Sequence, residues 1–513
     1  MLKKIRVTLA AIFLLGLTWL FLDFTGTAHL WLGWMAKIQF LPALLAVNVG
    51  VVVLLIVLAV LFGRIYCSVI CPLGIFQDIV SWISAKAHKK QKAGRFSYSP
   101  NKKILRIVVF VIFLVALLAG IGSIVQLLAP YSAFGRMVTS FLQPLYIAAN
   151  NGLAAVSEHY QSYAFYTVDV WMFSLPVFVV ACVTLVLLVV LAWMHGRTYC
   201  NTICPVGTIL GALSNKSIFG IRIDAEKCNG CSLCSRNCKA SAIDFKNHKV
   251  DLSRCVDCFN CIDTCKKGAI SYNIAKKSAK PLETPTKSPE SASSEKGEGP
   301  TRRAFLTATA AVAVGAALKA QEKTTDGGFA TILDKKPIQR QTKIVPPGAI
   351  SLKNIAQHCT GCQLCVSECP NNVLHPSGDL MTLMMPVSSY EKGYCRPECT
   401  RCSDVCPTGA IKPFALDHEE AKALKASTKI GRAVWVKENC IPLTEGQHCG
   451  NCARHCPTGA ITMVPSDPDK EKSHKIPVIN EEICIGCGAC ENLCPARPFS
   501  AIYVEGIEVH RTV

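Results

Sequence analysis

Six blocks of four closely spaced cysteines leave this chain little freedom in what it can fold around. Cys228, Cys231, Cys234 and Cys238 follow C-x2-C-x2-C-x3-C. Cys255, Cys258, Cys261 and Cys265 repeat the pattern, as do Cys359, Cys362, Cys365 and Cys369, and again Cys484, Cys487, Cys490 and Cys494. Two blocks lengthen the first gap: Cys395, Cys399, Cys402 and Cys406, and Cys440, Cys449, Cys452 and Cys456. Spacing this tight lets three thiolates wrap one iron–sulfur cubane while the fourth reaches the neighbouring cluster. Structural zinc normally takes two separated C-x2-C knuckles, and disulfides suit small secreted scaffolds. Neither matches this pattern. Six [4Fe–4S] clusters are the expectation. The first pair would use Cys228, Cys231, Cys234 and Cys265 for one cluster, and Cys255, Cys258, Cys261 and Cys238 for the other. The last four motifs leave two solutions: adjacent motifs pair, or the first pairs with the fourth around the middle two. Gly268-Ala269-Ile270, Gly409-Ala410-Ile411 and Gly459-Ala460-Ile461 follow a fourth cysteine, where a small turn and an apolar side chain would shield a cluster from water.

The rest of the 513 residues reads as membrane protein: half are hydrophobic, and mean hydropathy is positive. Four apolar stretches, 7–22, 38–63, 107–135 and 170–194, approach the roughly 20 residues needed to cross a bilayer. Lys3, Lys4 and Arg6 precede the first, and Lys86, Lys89, Lys90, Lys92, Arg95, Lys102, Lys103 and Arg106 fill the loop after the second. Between the third and fourth only Arg136 is basic, beside Glu158 and Asp169. Positive residues collect on the cytoplasmic side, so four spans with both ends inside are expected. The first span lacks a cleavage site and reads as uncleaved. The net charge of +19 belongs largely to these loops and forms no aromatic-interleaved basic stripe, which excludes nucleic acid as a partner.

Four further cysteines form an internal repeat. Gly63-Arg64-Ile65-Tyr66-Cys67 with Cys71-Pro72-Leu73-Gly74 matches Gly196-Arg197-Thr198-Tyr199-Cys200 with Cys204-Pro205-Val206-Gly207. Two halves so related would bring Cys67, Cys71, Cys200 and Cys204 together, as an additional metal or cluster site or as redox-active dithiols; inert structural turns are the bland alternative. Cys182 lies in an apolar run and reads as a small hydrophobe. Residues 275–300 are rich in Lys, Ser, Pro and Glu and read as a flexible linker. Arg302 and Arg303 then precede an uncharged stretch to Leu318, a twin-arginine export pattern; residues 304–318 are either a fifth helix or a cleaved segment. The fold class expected is a polytopic α-helical membrane domain followed by α+β ferredoxin-like [4Fe–4S] domains. Its boundaries fall at 1–215 (four spans and both Cys-x3-Cys-Pro motifs), 216–274 (two clusters), 275–300 (linker), 301–320 (twin-arginine segment) and 345–513 (four clusters).

Through Cys67, Cys71, Cys200, Cys204 and the eight cysteines from Cys228 to Cys265, the first half resembles the NapH family of membrane ferredoxins. Through Arg302, Arg303 and the sixteen cysteines from Cys359 to Cys494, the second half resembles the NapG/MauM family. Lys239 and Lys266 depart from the proline usual after the fourth cysteine. The resemblance implies a fusion of the two. It implies an electron-transfer component of a quinol dehydrogenase in the bacterial inner membrane, its first two clusters cytoplasmic and its last four periplasmic. Electrons would pass from the quinone pool to a periplasmic reductase of nitrate or nitrous oxide, or to that reductase's carrier subunit. No C-x-x-C-H haem motif and no G-x-G-x-x-G dinucleotide motif is present, which leaves quinol as the simplest donor. Asp78, His159 and His195 lie near membrane borders and are candidate proton acceptors for a quinol site, each with an ordinary interfacial role as the alternative. Two other functions compete: a maturation factor supplying electrons or metal to a partner metalloenzyme, and a redox sensor.

Overall fold

The computed structural model describes residues 1–87, 96–162, 164–168, 174–274, 325–326, 330–331, 335–467, 469 and 473–513. The linker 275–300, Arg302, Arg303, the 304–318 stretch, Asp169 and part of the basic loop lie outside them. Two compact units result. The smaller, residues 276–336 with 497–499, contains a two-residue pairing of Thr325–Asp326 with Ala330–Thr331. Everything that follows concerns the larger.

Helix α1 runs Leu2–Leu22. The expected second span is broken: α2 (Phe40–Leu45) ends before Val47, which sits at φ 54°, and α3 (Val49–Phe62) restarts with the Asn48 side chain accepting from the Val51 amide. After α4 (Pro72–Ala87), the expected third span is broken as well. Helix α5 (Lys103–Ala119) stops at Gly120 in the left-handed region, followed by α6 (Gly122–Leu128) and α7 (Pro130–Met137). Helix α8 (Gln143–His159) precedes the fourth span, α9 (Leu175–His195), and α10 (Pro205–Ser214). Helices α1 and α9 are long and apolar enough to cross a membrane. An uninterrupted apolar run in sequence therefore hides two helix breaks, because hydropathy does not register a left-handed cap or a helix-starting proline.

The helix bundle wears its hydrophobicity outside. Leu2, Ile5, Leu9, Ile12, Leu15 and Trp19 on α1, and Val179, Val183, Val186 and Val190 on α9, are all exposed, as is most of α5 from Ile104 to Leu118. Arg64, Arg136 and Arg197, by contrast, are fully buried. Apolar outside with charge inside suits a lipid environment.

Two cysteine-rich domains cap opposite ends of this bundle. Lys3 at the start of α1 pairs with Asp263 at 3.0 Å, whereas a side chain at Gly26, just beyond its end, would meet Arg401 and Glu368. Helix α5 begins where Asn101 bonds Ser253, and Gly120 at its end lies against Gln357. In the other direction, Ala46 before α3 neighbours Gly409, while Gly63 after it neighbours Asp257. Pro176 at the start of α9 neighbours Gly378, and Gly196 at its end packs on the Lys239 carbonyl. Four helices thus alternate in direction between the 216–274 domain and the 337–513 domain. Within those domains the sheets are two-stranded antiparallel ribbons. Strand β1 (Phe219–Ile223) pairs with β2 (Ile270–Ile274), β3 (Thr428–Trp435) with β6 (Ile502–Thr512), and β4 (Ile461–Pro465) with β5 (Lys475–Ile479).

Candidate iron–sulfur sites

The cysteine motifs fold as alternating left-handed turns. Gly230, Gly361 and Gly486, each just before the second cysteine of its motif, have φ between 62° and 76°. Ser232, Phe259 and Gln363, each just after the second cysteine, also take positive φ (59°, 59° and 68°), which side chains with a Cβ adopt only when the surroundings impose it. These turns aim successive thiols inward. Gly268, Gly409 and Gly459 are left-handed too, and the Ala-Ile pairs behind them are 1–5% exposed, a lid over each fourth cysteine.

The thiols gather into six sets. Cys228, Cys231, Cys234 and Cys265 line a cavity of about 180 Å3, and Cys238 joins Cys255, Cys258 and Cys261 within electrostatic range. Cys359, Cys362 and Cys365 surround Cys406. Cys395, Cys399 and Cys402 line one cavity with Cys369. Cys440, Cys449 and Cys452 do so with Cys494, and Cys484, Cys487 and Cys490 with Cys456. Adjacent motifs therefore exchange their fourth cysteines throughout, which decides between the two solutions open in sequence. Several fourth cysteines also accept a backbone amide: Cys238 from Ala242 at 3.4 Å, Cys369 from Val373 at 3.4 Å and Cys494 from Ala501 at 3.3 Å. Such bonds favour thiolate and tune a bound cluster.

Burial and neighbouring sulfurs push the Cys238 and Cys452 thiols up to about 11. Four thiolates this close need positive charge among them, so loading metal must displace protons. Among the described residues no three Cys, His, Asp or Glu are placed to hold a single metal ion. Four cysteine thiols per set, three from one closely spaced motif and one from its neighbour, are the donor set of a cubane.

The repeated cysteines Cys67, Cys71, Cys200 and Cys204 are all buried and lie within electrostatic range of one another. The repeat exchanges its arginines. Arg64 donates to the Cys200 carbonyl (3.0 Å) and faces Cys67 Sγ (3.8 Å); Arg197 donates to the Cys67 carbonyl (2.7 Å) and faces Cys200 Sγ (4.0 Å). A Cβ on Gly74 would strike the Cys67 carbonyl and Arg197, and one on Gly207 would strike the Cys200 carbonyl and Arg64. The Cys67 and Cys200 thiols each face the arginine of their own half, while the same arginine holds the opposite half's carbonyl. The repeat does bring the four thiols together, and the fold places them inside. It shares a continuous core with Tyr131, Phe134, Cys362 and Cys365 on one side, and Cys258 packs against that core from the other. Arg136 lies within electrostatic range of both Tyr199 and Cys362.

The three proposed proton acceptors are not brought together. Asp78 is buried and bound by Arg6 (2.9 Å), Arg197 (2.9 Å) and Lys239 (3.4 Å). Burial alone would raise its pKa, but the three cations hold it well below the usual carboxylate range. It locks helices together and is no poised base. His159 and His195 are exposed at the C-terminal ends of α8 and α9. Sequence reading missed Gln77, which stands outside the repeated segment and donates to Cys200 Sγ at 3.3 Å, and the buried Glu368, a spacer residue between Cys365 and Cys369.

Known iron–sulfur proteins are similar to this chain over both halves. Residues 44–91 and 175–222, the two halves of the repeat, match a model described as a 4Fe-4S binding domain. Residues 251–373, 358–441 and 447–497 match 4Fe-4S dicluster domain models. The first of these joins motifs that the fold assigns to different domains. The methylamine utilization ferredoxin-type protein MauM of Methylophilus methylotrophus is 31% identical over 173 residues, covering 32% of this chain and 71% of its own. The ferredoxin-type protein NapH of Escherichia coli is 25% identical over 199 residues (39% and 55%), and NapG of Haemophilus influenzae 27% over 161 residues (29% and 54%). The chain spans about half the length of the latter two. No solved structure matches. The chain belongs to the MauM ferredoxin-type family and is an iron–sulfur electron-transfer protein that joins such a unit to a NapH-like one.

Proposed function

We propose that this protein is a membrane-spanning electron-transfer unit that draws on quinol and serves a reductase on the far side of the bilayer. The observation that carries the reading is the pair of cysteine-rich domains capping opposite ends of one helix bundle, with the Cys67/Cys71/Cys200/Cys204 tetrad buried between them. In this reading α1, α3, α5 and α9 each cross the membrane. Helix α1, 21 residues at about 1.5 Å each, is matched to a hydrocarbon core about 30 Å thick. The basic amino terminus puts residues 216–274 in the cytoplasm and residues 345–513 outside. The 24 motif cysteines hold six [4Fe–4S] clusters and the tetrad a seventh. Bound there, such clusters supply one-electron chemistry over roughly −700 to +450 mV. The chain's own part is to bury the thiols, aim them by left-handed turns and set amide and arginine dipoles on them.

The buried tetrad, with Arg136 in electrostatic range of both Tyr199 and Cys362, supports a single relay joining the two domains. The test is anaerobic full-length protein in detergent, mixed with menadiol. Bleaching of the iron–sulfur absorbance well beyond the solvent control is expected; no bleaching would reject the quinol reading.

A further inference from the structure

A cavity of about 240 Å3 opens where the 337–513 domain meets the bundle, lined among others by Phe24, Gln143, Ile147, Tyr166, Cys369 and Arg401. Phe24, Ile147 and Tyr166 supply an aromatic and aliphatic part of its wall, and Thr25, Asn372 and Arg401 a polar part. Phe24 meets Tyr166 edge-on at 5.8 Å and Tyr146 at 6.0 Å, a set of edges suited to a flat ring. Gln143, the first residue of α8, is only 4% exposed, yet its Oε1 has no hydrogen-bond partner among the described residues. A buried amide oxygen left unpaired is destabilising unless something supplies the missing donor. The volume suits one or two fused rings rather than a whole lipid. Outside the cavity, exposed Leu142, Leu145 and Tyr146 continue an apolar surface into the belt of the bundle. Exposed Trp31, Trp34, Tyr160 and Phe165 belong to the residue types that settle at a membrane–water boundary.

We propose that this cavity binds the ring of a lipid quinone, with Gln143 Oε1 accepting from a ring hydroxyl of the hydroquinone and the isoprenoid tail lying along Leu142 and Leu145. The inference rests on the quinol reading above and gives it a place: the outer border, beside Cys369, rather than the inner border of Asp78 and His195. Oxidation of one hydroquinone to quinone releases two electrons and two protons. The electrons leave singly to the iron–sulfur group that Cys369, Cys395, Cys399 and Cys402 would hold, and finally to a one-electron acceptor of higher potential on that side. The protons leave to outer water. Entry here spares the outer domain any need for electrons to traverse the bundle, and the tetrad then connects the inner domain.

The test uses full-length, cluster-loaded protein and the fluorescent quinol analogue 2-heptyl-4-hydroxyquinoline N-oxide. Quenching of its fluorescence on binding is expected for the natural chain. Ile147→Trp, which fills the cavity, should weaken binding at least tenfold and slow reduction by menadiol. Gln143→Leu, nearly isosteric, should weaken binding by about five- to tenfold. Iron content and the dithionite-reduced spectrum serve as folding controls for both. If either variant, correctly loaded, binds the analogue and accepts electrons from menadiol like the natural chain, the cavity assignment falls and the quinol reading stands. If the natural chain neither binds the analogue nor is reduced by menadiol, both fall.

Discussion

Gly74 and Gly207 hold the tightest positions around the tetrad, each with its α-carbon pressed against a cysteine carbonyl and an arginine from the opposite half of the repeat. Backbone on one side and a fully buried guanidinium on the other leave a methyl group nowhere to go. Gly74→Ala or Gly207→Ala should cost about 3 kcal/mol, at the upper end of overpacking penalties, read as lowered thermal stability of the full-length protein in detergent. Gly152, with no atom within 4 Å of its would-be Cβ, is the control: Gly152→Ala should be neutral or stabilise by up to about 1 kcal/mol. The same logic applies to charge. Arg197→Met would leave Asp78 with Arg6 and Lys239 only and strip the Cys67 carbonyl of a donor, for a loss of about 3–5 kcal/mol. Adding Asp78→Leu to that variant should deepen the loss, because the buried Arg6 and the mostly buried Lys239 would then both be left without their carboxylate.

Among the elements, β6 carries a pH dependence of its own. His510 is mostly buried with neither ring nitrogen partnered among the described residues, and burial pushes it down to about 4. Its ordinary value is 6.5, so between pH 6.5 and 4 the unfolded chain takes up the proton and the folded chain does not. This contribution is full above pH 6.5 and is lost as the pH falls through that window, by at most about 3 kcal/mol. Urea unfolding of the natural chain and of His510→Gln at pH 7 and pH 5 should show the smaller pH loss in the variant; equal losses would exclude His510 as the source. Helices behave differently. Breaks at Asn48 and Gly120 divide two expected spans, and they fall where a short piece must turn to meet the 337–513 domain at Gly409 and Gln357.

For the whole molecule, metal content is the simplest measurement. Six cubanes correspond to about 24 iron atoms per chain, and an occupied tetrad raises this to about 28. Cys71→Ser with Cys204→Ser should lower the count by about four and leave the remaining paramagnetic signals of the reduced protein unchanged. A count unaffected by the double change would make the tetrad a dithiol or a structural knot. Two ferredoxin domains joined through one bundle also mean that loss of the tetrad should uncouple them: the signals of the 216–274 domain should appear more slowly after menadiol than those of the 337–513 domain.

Sequence alone determined which cysteines share a motif, the repeat of the Gly-Arg-x-Tyr-Cys segments and the apolar character of the first 215 residues, because each is written in spacing of a few residues. The grouping of the thiols in the first two motifs was legible as well, since only one exchange partner lay near. Among the last four motifs both exchanges satisfied the spacing, and only packing chose the adjacent one. Tertiary structure alone decided that Arg64 and Arg197 trade places across the repeat. It alone placed the tetrad in a core continuous with Cys362, and it alone turned Asp78 from a candidate base into a locked ion pair. Such facts depend on residues 60 to 230 positions apart, for which local periodicity carries no signal.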